Sequence, residues 1–500
     1  LRRCDLVLIG QEFTQERRVI CKNPVYIKAD ETLHIFAFVD RPNPTVAVDK
    51  GTRGAKELLE DLDPAIDRIT FQPLGGDPQM TWEAAFDANY SDGVLVLHHG
   101  RVVYERYAGC LGPDTLHGLL SATASLTGLM AEQLIGSGLL GENALVGDLL
   151  PELKQSGFGD ATVRQVMDMT TALEYSEDYS DPNAEVWKFA EAGSSQGYFD
   201  FLATVKKNGN HGERFIFRTI NADALGWILA RIKNQSIADL FSWHSWRQVG
   251  ADREAFYLVD ALGTPFASGG FNATLRDTGR FGMSLLRLAP SVIHSILEKG
   301  DVKAFAKAGY DFMSGWSYRS MWWSTNNSHN AFTARGVHGQ TIWVDPKVDM
   351  VIVRFASHPD AAPSASDSTS LPAYHAVAEY LIAHDKTPLR GQKWIVKKIG
   401  GRRLIANTEA SLYFAENGGF HGNGSCNGFG GHYDESEGNK LTFKHRSSKL
   451  AGCPEDRSSQ EQHFQKLLYD TQSYVLDKRN GTLKLKTKSG KTILLERAPF

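Results

Sequence analysis

The sequence predicts an α+β fold: an antiparallel sheet flanked by helices, followed by a smaller antiparallel β domain at the C-terminus. Three observations predict it. Gly93-Val-Leu-Val-Leu-His-His-Gly100 and Arg101-Val-Val-Tyr-Glu-Arg-Tyr107 are apolar, β-rich runs on either side of a glycine turn, the pattern of a hairpin. Helical spacing then takes over in 121–136, where Leu126, Leu129, Met130, Gln133 and Leu134 recur, and again in 161–169, 221–233 and 371–384. Beyond Lys386-Thr-Pro-Leu-Arg-Gly391, short β-rich runs alternate with Gly and Asn turns.

Taken in chain order, residues 1–33 form an N-terminal extension carrying Cys4 and Cys21. Phe36 to Thr45 reads as extended, because Pro42 and Pro44 exclude helix. Residues 55–66 read as a helix. The hairpin and the helices follow, and Gly339 to Phe355 reads as two strands around the turn Asp345-Pro346-Lys347. The segment 336–343 reads as part of that strand pair. After the boundary, Trp394–Ile399, Ser411–Phe414, Tyr433, Leu441–Phe443 and 483–495 read as strands, with one helix around Glu461–Tyr469. The expected domains are therefore 34–388 and 389–500.

Composition narrows the function. Five hundred residues exceed one hydrophobic core. The net charge of −4 argues against a nucleic-acid binder that depends on a basic field, and Lys397-Lys398 and Arg402-Arg403 read as a solvated face. No run of 18 apolar residues is present, so no transmembrane helix is expected. The chain starts at Leu1, and a removed signal peptide would leave no trace. The five cysteines, Cys4, Cys21, Cys110, Cys426 and Cys453, leave at least one unpaired if disulfides form. No Cys/His spacing marks a metal site, and His98-His99 reads as the end of a strand. Neither a metal nor an organic cofactor is expected.

A serine hydrolase needs a hydroxyl nucleophile, a base for its proton and donors for the oxyanion. Ser121-Ala-Thr-Ala124-Ser-Leu-Thr-Gly128 opens the 121–136 helix. Alone, such a serine is a helix cap or a packed small residue. Its surroundings are more telling. Leu116-His-Gly-Leu-Leu-Ser121 after the hairpin, the loop Met169-Thr-Thr-Ala-Leu-Glu-Tyr-Ser-Glu177-Asp-Tyr179-Ser-Asp-Pro182, and Asn221-Ala-Asp-Ala-Leu-Gly-Trp227 follow in order. So do Phe266-Ala-Ser-Gly-Gly270, Met321-Trp-Trp323 and Gly336-Val-His-Gly-Gln-Thr-Ile-Trp-Val-Asp-Pro346. Over roughly 34–385 the chain resembles the 6-aminohexanoate-dimer (nylon-oligomer) hydrolases and related class C beta-lactamase-like serine hydrolases.

The resemblance implies a beta-lactamase/penicillin-binding-like sheet flanked by helices. It places the nucleophile at Ser121 and a substrate-contacting phenol at Tyr179, in a loop that also carries Glu177. It places the segment Gly336-Val-His338-Gly339-Gln340 on the wall of the acyl cleft, where an amide of that segment would join that of Ser121 as an oxyanion hole. His338 reads equally as a satisfied strand histidine. Trp322 and Trp323 are implied to shape the substrate site.

Two positions depart from the pattern. The lysine one turn after the serine is Ala124, and the second-motif tyrosine is Phe217. These are the groups that take and pass the serine proton, and loss of a general base costs about 10²–10⁴ in rate. The expectation is amide or ester hydrolysis of a small linear substrate by ancestry, with this sequence impaired. An engineered inactive variant and a natural pseudoenzyme both fit. A ligand-binding protein and an acyltransferase on the same fold are the rival functions.

At the C-terminus, Trp394, Phe420-His-Gly-Asn-Gly-Ser-Cys426-Asn-Gly-Phe-Gly-Gly-His-Tyr433 and Leu450-Ala-Gly-Cys453-Pro454 resemble a META domain. Cys426 and Cys453 are either a disulfide or free buried thiols. Such domains are common in exported or envelope proteins, so an exported or periplasmic location is expected, with the cytoplasm as the alternative.

Overall fold

The computed structural model describes residues 44–498 except 110, 289, 299, 386–388, 416–417, 437–438, 449–451 and 478–480. The expectations for the N-terminal extension, Cys4, Cys21, Cys110 and the extended stretch before Pro44 lie outside the described residues. The chain divides into two units, Leu1–Leu381 and Ile382–Phe500.

The first unit is built on a seven-stranded antiparallel sheet. Its strands are β1 (Ser91–His98), β2 (Arg101–Tyr107), β3 (Ser317–Arg319), β4 (Trp322–Ser324), β5 (Phe332–Arg335), β6 (Thr341–Asp345) and β7 (Met350–Ala356). Their order across the sheet is β2-β1-β7-β6-β5-β4-β3. The expected hairpin is β1–β2, closed by His99 (φ 50°) and Gly100 (φ 76°). Two residues of positive φ match the right-handed twist of the strands they join. His98 ends β1, and His99 Nδ1 lies 3.0 Å from Asp349 Oδ2.

Every residue of β1 and β7 is buried, which explains their near-continuous apolar runs. Helix α1 (Thr123–Gly136) and α2 (Thr219–Lys233) bury most of their length, while α3 (Leu275–Leu285) lies on one sheet face. There Gly279 and Gly282 let the helix backbone approach: a Cβ on either would meet Leu95 or Val351 at 2.5 Å. On the other face, Tyr374 of α4 (Asp367–His384) packs against Trp343 with ring centroids 5.4 Å apart.

Residues 55–66 are not the expected helix. The chain runs extended beside β2, where Asp61 N donates to Val102 O, Val102 N to Leu59 O, and Asp63 N to Val103 O. The open edge of the sheet outcompetes local helical preference by offering these partners. The segment 336–343 also differs from expectation. β5 stops at Arg335, Val337–Gly339 make a tight turn with His338 at φ 60°, and β6 begins at Thr341.

In the second unit, eight strands from Lys393–Ile399 to Thr492–Arg497 pair antiparallel in sequence. The first and last also pair, so the sheet closes into a barrel, with the two-residue strand Arg402–Arg403 beside the first. Inward positions alternate: Trp394 and Val396, Leu412 and Phe414, Leu483 and Leu485, Ile493 and Leu495. The helix spans Glu455–Tyr469, starting earlier than the apolar spacing predicts, and it buries Phe464, Leu467 and Leu468. Cys426 and Cys453 form a disulfide. Beside it, buried Glu461 accepts from the backbone N–H (2.7 Å) and side-chain amide (3.2 Å) of Asn427.

Two outcomes follow from this packing. A Cβ on Gly128 of α1 would lie 2.1 Å from Ser320 O, a rigid backbone atom. Gly128→Ala therefore destabilises the first unit by about 2 kcal/mol despite alanine's better helix propensity, seen as a lower calorimetric midpoint for that unit alone. Reduction of the Cys426–Cys453 bond, or Cys453→Ser, destabilises the second unit by about 3 kcal/mol, because it frees the loop that the bond closes. Calorimetry with and without dithiothreitol reads this directly.

Candidate active site

Ser121 sits in a single 3₁₀ turn, Leu120–Ala122, that runs straight into α1. The preceding Leu120 has φ 48°, a left-handed backbone that costs a branched residue about 1–2 kcal/mol. Three contacts hold it there. Leu119 N donates to Phe271 O at 2.9 Å, and Phe271 N donates to Thr123 Oγ at 3.2 Å. The Leu120 side chain is buried with Val337 and Ala361.

The end of β5 lies against this turn. A Cβ on Gly336 would sit 2.6 Å from Leu119 O and 3.1 Å from Ala122 N, so only glycine permits the approach. The turn that follows is fixed from within. Gly336 N donates to Gln340 O, and His338 N to Ala361 O. His338 Nδ1 donates to His358 O at 2.7 Å, and His358 N returns a bond to His338 O at 3.1 Å. Gln340 places both side-chain atoms on the backbone of Ala356, and Gly339 O accepts from Arg354 Nε at 2.9 Å. The Nδ1 of His338 and the amide of Gln340 thus bind protein, and these residues shape the wall by holding it.

Two backbone amides lie on these adjoining turns, Ser121 N and Val337 N. Among the described residues, the Ser121 hydroxyl has no hydrogen-bond partner. Two amides on adjoining segments are the raw material of an oxyanion hole.

The other expected residues divide. Tyr179 comes to the site: its ring packs on the Leu120–Val337–Ala361 cluster and stands edge-on to Trp187 at 5.7 Å. Ala124 lies one turn after Ser121, at the start of α1, is buried, and offers no titratable group. Phe217 precedes α2, stacks on Trp323 (6.2 Å, 18° between planes) and meets Tyr318 edge-on. Trp323 also carries the Arg335 guanidinium 5.2 Å above its ring, and Arg335 is paired with buried Asp367. Trp322 is a correction. Strand alternation turns it away from that group, and it is wholly buried against Phe332.

Glu177 caps α2 from outside, accepting from both the N–H and the hydroxyl of Thr219. Burial pushes its carboxyl up to about 7, against the opposing pull of the Thr219 bonds and the Arg218 charge. Thr219 also lies 3.3 Å from the Tyr175 hydroxyl. Sequence reasoning missed Thr219 and Arg335, and it placed an oxyanion amide on the segment 336–340 without choosing the residue. For the first, its place two residues after Phe217 was an available signal.

The beta-lactamase family profile matches residues 82–374, and the META domain profile matches 387–500. The chain belongs to the beta-lactamase family. It is 34% identical over 297 residues to the 6-aminohexanoate-dimer hydrolase of Paenarthrobacter ureafaciens, covering 56% of this chain and 75% of that one. A solved Bacillus anthracis structure, titled as a 6-aminohexanoate-dimer hydrolase, superposes with a TM-score of 0.61 at 26% identity. That match covers 68% of this chain and 92% of the other. This beta-lactamase-family protein is thus a hydrolase by ancestry, with a META domain at its C-terminus. No helix among its described residues is long and apolar enough to cross a membrane.

The raised carboxyl of Glu177 has a measurable consequence. The fold binds that proton more tightly than the unfolded chain does, so its contribution to stability is complete below about pH 4.5 and is lost as pH rises through 7. Glu177→Gln flattens this part of the profile by up to roughly 3 kcal/mol between pH 4.5 and 7.5, measured by chemical denaturation. Buried Asp223, also raised to about 7, leaves a residual slope of the same sign.

Proposed function

We propose that the cleft between the Leu120–Ala122 turn and the Val337–Gly339 turn is the acyl-binding site of a serine hydrolase acting on amide or ester bonds of small linear substrates. The observation that carries this reading is the strained serine turn pressed against Gly336, with the amides of Ser121 and Val337 on the two adjoining turns. Ser121 attacks the scissile carbonyl. The amides of Ser121 and Val337 receive the oxyanion, and the Tyr179 phenol donates to the leaving atom. The relative's name, 6-aminohexanoate-dimer hydrolase, supports a linear amide as the substrate class.

As the chain stands, the proton step has no owner. Ala124 and Phe217 occupy the positions where the family pattern has its lysine and tyrosine, and neither side chain accepts a proton. An unactivated serine hydroxyl is a weak nucleophile at neutral pH. We therefore assign this sequence an impaired catalytic step in an otherwise assembled site. A second reading, a cleft that binds ligand without turning it over, is favoured by one observation: Phe217 is integrated into an aromatic group with Trp323 and Tyr318. We also assign the protein to an oxidising, exported setting, which the Cys426–Cys453 bond supports.

The test restores both groups. Ala124→Lys with Phe217→Tyr raises kcat/KM for p-nitrophenyl esters and short linear amides at least about 100-fold, and Ser121→Ala abolishes the gain. Either single reversion gives little, since groups that pass one proton fail together. A double revertant with no turnover and no acyl adduct on Ser121 would leave only the binding reading.

A further inference from the structure

We infer that Asp92 is a positioning residue that sets both halves of the oxyanion hole from a single buried carboxylate. The inference rests on the hydrolase reading for the identity of the hole, and on the following geometry for its support.

Asp92 occupies a break in the sheet. Across the β1–β7 ladder, Gly93 faces Phe355 and Ser91 faces Ala356. One step on β7 thus matches two on β1, and Asp92 is the additional residue of a β-bulge. Bulges of this kind re-aim a side chain and recur beside active sites. The carboxylate so aimed is 5% exposed, and a buried charge persists only where partners meet it.

It is met from two directions. Ser357 Oγ donates to both carboxylate oxygens, at 2.9 and 2.8 Å. His117 Nε2 lies 3.6 Å from Oδ2, while its Nδ1 donates to Gly118 O at 2.9 Å and its ring stacks on Phe355 at 4.6 Å.

Each partner leads to one half of the hole. His117 and Gly118 form the short strand that pairs with Ala273 and Asn272, and the chain passes from it through Leu119 into the Ser121 turn. Ser357 is followed by His358, whose carbonyl and amide hold His338 in its left-handed conformation, and His338 is the neighbour of Val337. One carboxylate therefore fixes the position of the Ser121 amide relative to the Val337 amide. Donors misplaced by a fraction of an ångström lose much of their value to a developing oxyanion. Asp92 touches neither substrate nor serine in this scheme and acts through the two segments.

Phenylboronic acid tests this on the chain itself, because a tetrahedral boronate on Ser121 places an oxygen in the hole without requiring turnover. Affinity is read by calorimetry and ¹¹B NMR, with Ser121→Ala as the control and melting temperature recorded for each variant. Asp92→Ala, and the pair Ser357→Ala with His117→Phe, weaken the adduct at least about tenfold, with Asp92→Asn between them and the parent. The pair adds nothing to Asp92→Ala, since both arms end on one carboxylate. In the Ala124→Lys/Phe217→Tyr background the same changes lower kcat and leave KM within about twofold. Asp92→Asn and Ser357→Ala carry the comparison if Asp92→Ala fails to fold. Folded variants that bind the boronate as the parent does, or the absence of any Ser121-dependent adduct, overturn the inference. A revertant that does not hydrolyse, with a boronate series that still follows Asp92, counts against the hydrolase reading and for the positioning role.

Discussion

The close approach of Gly336 to the Leu119–Ala122 turn is the constraint on which the rest of the site depends. At that distance no side chain fits between the end of β5 and the serine turn, so the two backbones meet directly. The contact explains why Leu120 tolerates a left-handed conformation. Its side chain is buried with Val337 and Ala361, its neighbours Leu119 and Thr123 are bonded to Phe271, and releasing the strain would break all of these at once. Backbone strain survives where packing over-determines it, and here that packing also positions the amides of Ser121 and Val337.

Much of the fold was legible because its signals are local. The β1–β2 hairpin announces itself through apolar, β-rich runs around a His-Gly turn, and the barrel strands through short β-rich runs between glycine and asparagine turns. Where the reading failed, a distant partner decided the outcome. Residues 55–66 have helical composition, but the exposed edge of β2 supplies the partners that make them extended. The 336–343 segment reads as one strand because Thr341, Ile342, Trp343 and Val344 are β-formers, whereas His338 is turned by bonds to His358 and Ala361. Ser121 and Tyr179 were reachable through family resemblance. For the second oxyanion donor the resemblance reached the segment 336–340 but not the residue, since the direction of a backbone amide is a property of the fold and leaves no mark in residue type. Trp322 and Trp323, read as a pair, part company because adjacent strand residues face opposite ways.

The buried carboxylates show how polar groups are rationed between architecture and site. Asp367 pairs with Arg335 and joins the start of α4 to β5. Asp223 accepts from Ala267 N and Ser268 Oγ and fixes the loop beside α1 and α2. Glu177 caps α2 from the loop that carries Tyr179, so the position of that phenol is coupled to the helix terminus. Each of these groups is bonded within the fold.

That distribution clarifies what Ala124 and Phe217 do to the protein. A lysine at position 124 would bury an ammonium in α1, a costly state unless paired. A tyrosine at 217 would require a partner for its hydroxyl within an aromatic group. With alanine and phenylalanine in place, both costs are absent, while the strain at Leu120 remains because packing and bonds to Phe271, Val337 and Ala361 impose it. The backbone geometry around Ser121 is thus set independently of the side chains at 124 and 217.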